Sequence, residues 1–123
     1  MLTKFINIIK CLTSPNLYRE MACYFASFYY EHVLPIKAIK KGINVNIHPT
    51  VSIRFGEKIV LGNNIAIGPN CGIWASNGSK ITIGDNSAIA FGSFIVSSHH
   101  GILRSQGFRG QKLIEKDVVI END

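Results

Sequence analysis

No stretch of this 123-residue chain stays apolar for long enough to span a bilayer. The apolar start, Met1 to Leu12, carries Lys4 and Lys10 and is not followed by a small-residue cleavage site, which argues against a secretory leader. Cysteine is scarce: Cys11, Cys23 and Cys71 are an odd number without metal-site spacing. That usage suits reduced thiols in a cytoplasmic protein, with Cys71 as core filler. Charged residues are few, at 17%, and the net charge of +5 is scattered with no nucleic-acid-reading motif beside it, so no nucleic-acid partner is expected. The one tight basic cluster, Lys37, Lys40 and Lys41, is solvated surface on the plain reading and a contact for an anionic membrane or acidic substrate on the sharper one.

What the chain has in abundance is a short repeated phrase. From Leu61 it runs LGNNIA, IGPNCG, IWAS, and from Ile83 it runs IGDNSA, IAFGSF, IVSS. A fainter copy starts at Ile47, with IHPTVS and IRFGEK. A short fixed period is the signature of a solenoid, in which no repeat buries its own apolar face. Alternation holds only for a few residues, as in Val45-Asn46-Ile47 and Ile81-Thr82-Ile83-Gly84, before a Gly-Asn-Asn, Gly-Pro-Asn or Gly-Asp-Asn turn interrupts it. Asn and Gly tolerate the left-handed backbone angles such corners need. Three short sides per coil are therefore expected. Ile47, Ile53, Leu61, Ile67, Ile73, Ile83, Ile89 and Ile95 should stack inward, joined by Val51, Ile65 and Cys71. The second coil steps to the third at constant spacing (Leu61 to Ile83, Ile67 to Ile89, Ile73 to Ile95), with Ala75 to Lys80 bulging out. A sandwich or barrel would show longer strands.

Residues 1–42 do not fit the repeat and are expected to form a helical segment. Leu2 to Leu12 puts Phe5, Ile6, Ile9 and Leu12 largely on one side. Ser14 reads as a helix cap with Pro15 at the first helical position, and Leu17, Met21, Phe25 and Phe28 follow at helical spacing until Pro35 ends the helix. These helices are expected to cap the open end of the stack, with docking through residues 1–34 to a membrane face or a polymer-synthesis complex as the alternative.

From about Ile43 onward, the IGPN and IGDN turns, the segment Ser97-Ser98-His99-His100-Gly101 and the renewed repeat at Val118 to Asp123 resemble the hexapeptide-repeat acyltransferases. The resemblance is nearest to sugar and polysaccharide O-acetyltransferases of the galactoside and maltose type. It implies a mainly β fold: a left-handed parallel β-helix over 43–123 with an excursion loop at about 97–117, behind the α-helical segment. It also implies acetyl-CoA as donor, a sugar or polysaccharide acceptor and a homotrimer with sites between subunits. The location implied is cytoplasmic, with the inner face of the cell membrane as the extension.

In that family a histidine at this point takes the proton from the acceptor hydroxyl, a task suited to an imidazole with an unperturbed pKa of about 6.5. Register from the Ile83 turn puts His100 on the catalytic position, with His99 as its neighbour and alternative. The family's asparagine on the preceding rung is replaced here by Gly68, with Asn70 two places later as a substitute substrate contact. Trp74 should face outward beside the bulge that contains Asn77, where it suits either a sugar ring or a subunit contact. Arg104, Arg109 and Lys112 in the excursion suit an anionic acceptor or the cofactor phosphates, or are solvated loop charge. Carbonic anhydrases on the same fold need three histidines spread over adjacent subunits; His32, His48, His99 and His100 do not have that spacing, so no metal is expected.

The chain stops in mid-phrase at Ile120-Glu121-Asn122-Asp123, where the resembling enzymes continue into further coils that form much of the acetyl-CoA groove. An incomplete β-helix with little transfer activity of its own is the resulting expectation. A catalytically inactive structural or assembly module is the alternative function, and transfer of another acyl group, such as succinyl, stays open.

Overall fold

The computed structural model describes residues 2–122; Met1 and Asp123, the last residue of the expected final repeat, lie outside the described residues, as do the side chains of Leu2, Phe5 and Phe108. Helix α1 (Leu2–Leu12) and helix α2 (Pro15–Phe28) come first, followed by a π-helical turn at Tyr29–Val33 and helix α3 (Leu34–Ala38). Twelve short strands follow: β1 (Lys40–Lys41), β2 (Val45–Ile47), β3 (Ser52–Arg54), β4 (Ile59–Leu61), β5 (Ile65–Ile67), β6 (Gly72–Trp74), β7 (Ile81–Ile83), β8 (Ala88–Ile89), β9 (Phe94–Val96), β10 (Ser98–His100), β11 (Leu113–Glu115) and β12 (Val118–Ile120).

All but β10 and β11 assort into three parallel sheets, in the orders β1-β4-β7-β12, β2-β5-β8 and β3-β6-β9. Successive strands visit the three sheets in rotation, and each pairs with the strand one circuit earlier: Val45 beside Ile65, Gly72 beside Phe94, Ile81 beside Val118. The arrangement is mainly β and compatible with a parallel β-helix.

Each strand turns alternate residues to the inside. Ile59 and Leu61, Ile65 and Ile67, Cys71 and Ile73, and Ile81 and Ile83 are buried in pairs, whereas Val60 and Ala66 between them are exposed. Val51 and Ile53 complete the core from below, and Ile39 closes it. Of the expected stack, Ile47, Ile89 and Ile95 pack against this core only partly buried, because β2, β8 and β9 are the end strands of their sheets.

The corners follow the expected chemistry. Asn44, Asn64, Asn70 and Asn86 all hold φ between 55° and 58°, in the left-handed region. Three of them form a side-chain ladder: the Asn44 amide donates to Asn64 Oδ1 and the Asn64 amide to Asn86 Oδ1, each at 3.0 Å.

Two expectations for the N-terminal segment are corrected. Pro35 does not end the helix; the helical path runs through it, because the π turn at Tyr29–Val33 lets Pro35 enter as a first-turn residue of α3, where its missing N–H costs nothing. Capping is also confined to the last part of the segment. His32 Nδ1 lies 2.7 Å from the Val51 carbonyl oxygen, Ile36 packs on the core, and a Cβ on Gly56 would collide with the Pro35 carbonyl oxygen. By contrast α2 buries no residue. Ser14 precedes α2 as expected, with Pro15 at its start, but its side chain makes no capping bond. No helix among the described residues is long and apolar enough to cross a membrane.

Ile73 is fully buried at the centre of the stack. Ile73→Ala is expected to cost about 2–5 kcal/mol, and Val60→Ala on the outward face of β4 about 0.5 kcal/mol, both read from denaturant midpoints.

Candidate active site

The three circuits differ in length, and every extra residue leaves at one corner, the passage from the β3-β6-β9 sheet to the β1-β4-β7-β12 sheet. In the first circuit that corner is Phe55 and a tight turn at Gly56–Lys58, in the second the Ala75-to-Lys80 bulge, and in the third the chain from Ser97 to Asp117. The third insertion is not an irregular loop throughout. Its ends form an antiparallel hairpin, β10 against β11, pairing Ser98 with Glu115, His99 with Ile114 and His100 with Leu113.

Alternation in this hairpin separates the two histidines. His99 turns into a cleft of ≈ 390 Å³ with Val96, Ile114, Lys116 and Asp117, and its Nδ1 lies 2.9 Å from the His100 carbonyl oxygen. His100 shares the opposite hairpin face with Ser98, Leu113 and Glu115. Those three residues form one wall of a second cleft of ≈ 240 Å³, whose other wall is Arg54, Phe55, Trp74 and Asn77. Trp74 is half-buried, with Nε1 donating to Ser52 Oγ at 3.0 Å. The Arg54 guanidinium carbon stands 3.8 Å from the Trp74 ring centroid, and the Phe94 ring meets Trp74 nearly perpendicularly at 4.8 Å. A Cβ on Gly72 would strike the Phe94 ring, so the missing side chain makes room for this cluster. Phe55 holds φ 53° and ψ 56°, a costly conformation for an aromatic residue. It lines this cleft and also an adjoining groove of ≈ 690 Å³ shared with Tyr30, Leu34 and Lys37.

Beneath the hairpin lies a buried polar network. Ser76 Oγ and Ser79 Oγ are 2.5 Å apart, and the Ser79 hydroxyl also reaches Ser97 Oγ at 2.7 Å and the Ser97 carbonyl oxygen at 3.0 Å. From the hairpin side, Glu115 accepts from the Gly78 N–H at 3.0 Å and Asp117 from the Lys80 N–H at 2.8 Å. The bulge and the hairpin are thus tied together by hydroxyls and carboxylates, which need near-fixed geometry to be satisfied. The Gly78 N–H, and after it the Ser76 hydroxyl, hold the Glu115 carboxyl below its ordinary value of 4.5 against a smaller opposing push from desolvation.

The structure therefore brings together His100's hairpin face, Trp74 and Asn77. Asn70 sits elsewhere, at the corner between β5 and β6, where its N–H donates to Thr50 Oγ at 2.9 Å. Arg104 and Arg109 are exposed at the far tip of the excursion, a turn braced by Gln111 through bonds to Leu103 and Gln106, and they line neither cleft. Among the described residues no three His, Cys, Asp or Glu side chains gather as a metal site; His32 meets Val51 and His48 meets Thr50. Arg54, Phe55 and Glu115 were not singled out by sequence reasoning. The available signal for Arg54 was register, since it pairs with Trp74 across β3 and β6.

No family model, no curated protein and no solved structure matches the chain.

A carboxylate with a depressed pKa stabilises the fold fully above its unfolded value and loses that contribution as pH falls through the folded one. The Gly78 amide resonance is accordingly expected to titrate with a midpoint below 4.5, and Glu115→Gln to abolish that titration.

Proposed function

We propose that the chain is an O-acetyltransferase built on a left-handed parallel β-helix, with His100 as general base and a sugar hydroxyl as acceptor. The observation that carries this reading is the hairpin face at the inserted corner: it turns His100 to the side on which Ser98 and Glu115 border the cleft walled by Trp74 and Arg54. The repeated phrase and its parallel register support the same reading.

Acetyl-CoA supplies an activated thioester carbonyl. The unprotonated His100 imidazole accepts the acceptor hydroxyl's proton as that oxygen bonds to the carbonyl carbon. When the C–S bond breaks, the imidazolium returns the proton to the departing thiolate sulfur, so the histidine ends as it began. The aromatic wall of Trp74 and Phe55, with Phe94 packed edge-on against Trp74, suits the C–H face of a sugar ring. Arg54, laid over Trp74, supplies positive charge for an acidic sugar or a phosphate, and Asn77 a hydrogen-bonding amide. In this reading the working unit is a homotrimer, with His100 facing a neighbour's coils.

A second reading, an inactive assembly module, draws on the apolar side chains that the last strands leave uncovered: Phe91, Phe94 and Val96 are 70%, 57% and 45% exposed.

Calorimetry with acetyl-CoA and assay of thiol release with sugar acceptors separate the two. Under the enzyme reading acetyl-CoA binds, and acceptor-dependent thiol release falls by about 10²–10⁴, or to background, in His100→Ala but survives in His99→Ala. A chain that gives neither binding heat nor thiol release leaves the assembly module.

A further inference from the structure

The clefts beside the hairpin belong to the site already described, and two more lie against β12 around Ile120 and Asn122; apart from these stands the arm formed by α1 and α2. The coil is closed by His32, Ile36 and Ile39, which leaves the arm's apolar surface uncovered by the rest of the chain. At 100° per residue, Ile6, Ile8, Ile9 and Leu12 fall on one side of α1, all of them exposed, and Thr3, Asn7 and Cys11 on the other. Lys4 and Lys10 stand at the two borders between these sides, and α1 contains no acidic residue. In α2 the exposed Tyr18, Met21, Tyr24 and Phe25 share one arc, while Arg19 and Glu20 lie outside it, paired to each other at 3.0 Å. The two helices are coupled at their joint, where the Tyr18 hydroxyl donates to the Leu12 carbonyl oxygen at 2.6 Å.

Three features decide what covers this surface. Lysines flanking an apolar arc on both sides can lay their stems along hydrocarbon while the ammonium groups reach the headgroups. Tyrosine is the side chain favoured at that depth, apolar in body and polar at the tip. The sign of the charge on the arm is also one-sided: α1 and α2 carry Lys4, Lys10 and Arg19 against only Glu20, and Lys37, Lys40 and Lys41 follow where the arm joins the coil. With 11 residues, α1 is about 16 Å long, roughly half the thickness of a bilayer core, so it lies along a membrane and not through it. We propose that α1 and α2 dock this protein on an anionic lipid surface, with the Ile6-Ile9-Leu12 side of α1 and the tyrosines of α2 sunk into the interface. This attachment is independent of the chemistry proposed above.

Flotation of the full chain with phosphatidylcholine vesicles, with and without phosphatidylglycerol, tests the proposal. Wild type is expected to float with phosphatidylglycerol-containing vesicles at low salt, and at least about ten-fold less with phosphatidylcholine alone or at high salt. Lys4→Glu with Lys10→Glu, and separately Ile6→Asp with Ile9→Asp, should each abolish flotation while leaving the melting transition unchanged, since all four side chains are exposed. Absence of flotation with phosphatidylglycerol vesicles, or flotation that both double variants retain, overturns the proposal. So does a lipid-independent oligomer that dissociates on Ile6→Asp with Ile9→Asp, because that result assigns the apolar side to a second copy of the chain.

Discussion

Everything in this molecule hangs on vertical register, the requirement that each inward aliphatic side chain sit directly above its counterpart one circuit earlier. The strands are only two or three residues long, so none is stable by itself. Their stability comes from stacking, with Ile53 beside Ile73 and Leu61 beside Ile83 in the parallel ladders. Two of the three corners are locked into this register. At the corner after β4 and β7 the Asn44-Asn64-Asn86 amides bond in a column, and beside them the Asn63 N–H donates to Asp85 Oδ1 and the Asp85 N–H to Asn122 Oδ1, each at 2.7 Å. At the corner after β2 and β5, Thr50 and the left-handed Asn70 are bonded across circuits. An inserted residue at either corner would break a column that several circuits share.

The remaining corner carries no such column, and length variation collects there. The ladders advance by 20 residues from the first circuit to the second, by 22 to the third, and by 37 to β12. A loop this long would ordinarily hold its side chains only loosely. Here its two ends are zipped as β10 and β11, and its base is anchored in the buried hydroxyls of Ser76, Ser79 and Ser97. The rigid stack thus supplies a fixed floor, with Trp74 on it, and the insertion supplies histidines and carboxylates. Scaffold and site are divided between corners of one coil.

The same division explains what could be read from the sequence. Ile67, Ile73, Cys71 and the left-handed asparagines obey a six-residue ruler, and local chemistry alone puts them on the inside or at a corner. Ile59 and Ile81 are equally buried, but they follow insertions of different length, so the ruler loses them and only the paired strands restore the count. That Ser98, Leu113 and Glu115 face Trp74 across one cleft depends on a hairpin whose pairing joins residues far apart in sequence, and nothing local marks Glu115 as the partner of Gly78. Asn70 illustrates the reverse error: the register places it correctly on its rung, but its left-handed backbone commits it to the turn.

The N-terminal third carries the same lesson into energetics. A helix that merely covered the open end of the stack would direct its apolar face at Val51 and Ile53, and α3 with the preceding π turn does so through Ile36 and His32. Adding α1 and α2 to that task would require their aromatic arcs to be buried, yet Tyr24 and Phe25 are 68% and 61% exposed. Large apolar surfaces are seldom left uncovered without a role, because each aromatic ring kept in water forgoes a favourable transfer of about 1.5–3 kcal/mol. The π turn is the physical seam between the two parts. It reorients the helical path so that Pro35 can start a new helix against Gly56, and in doing so it frees everything before Tyr29 from the geometry of the coil.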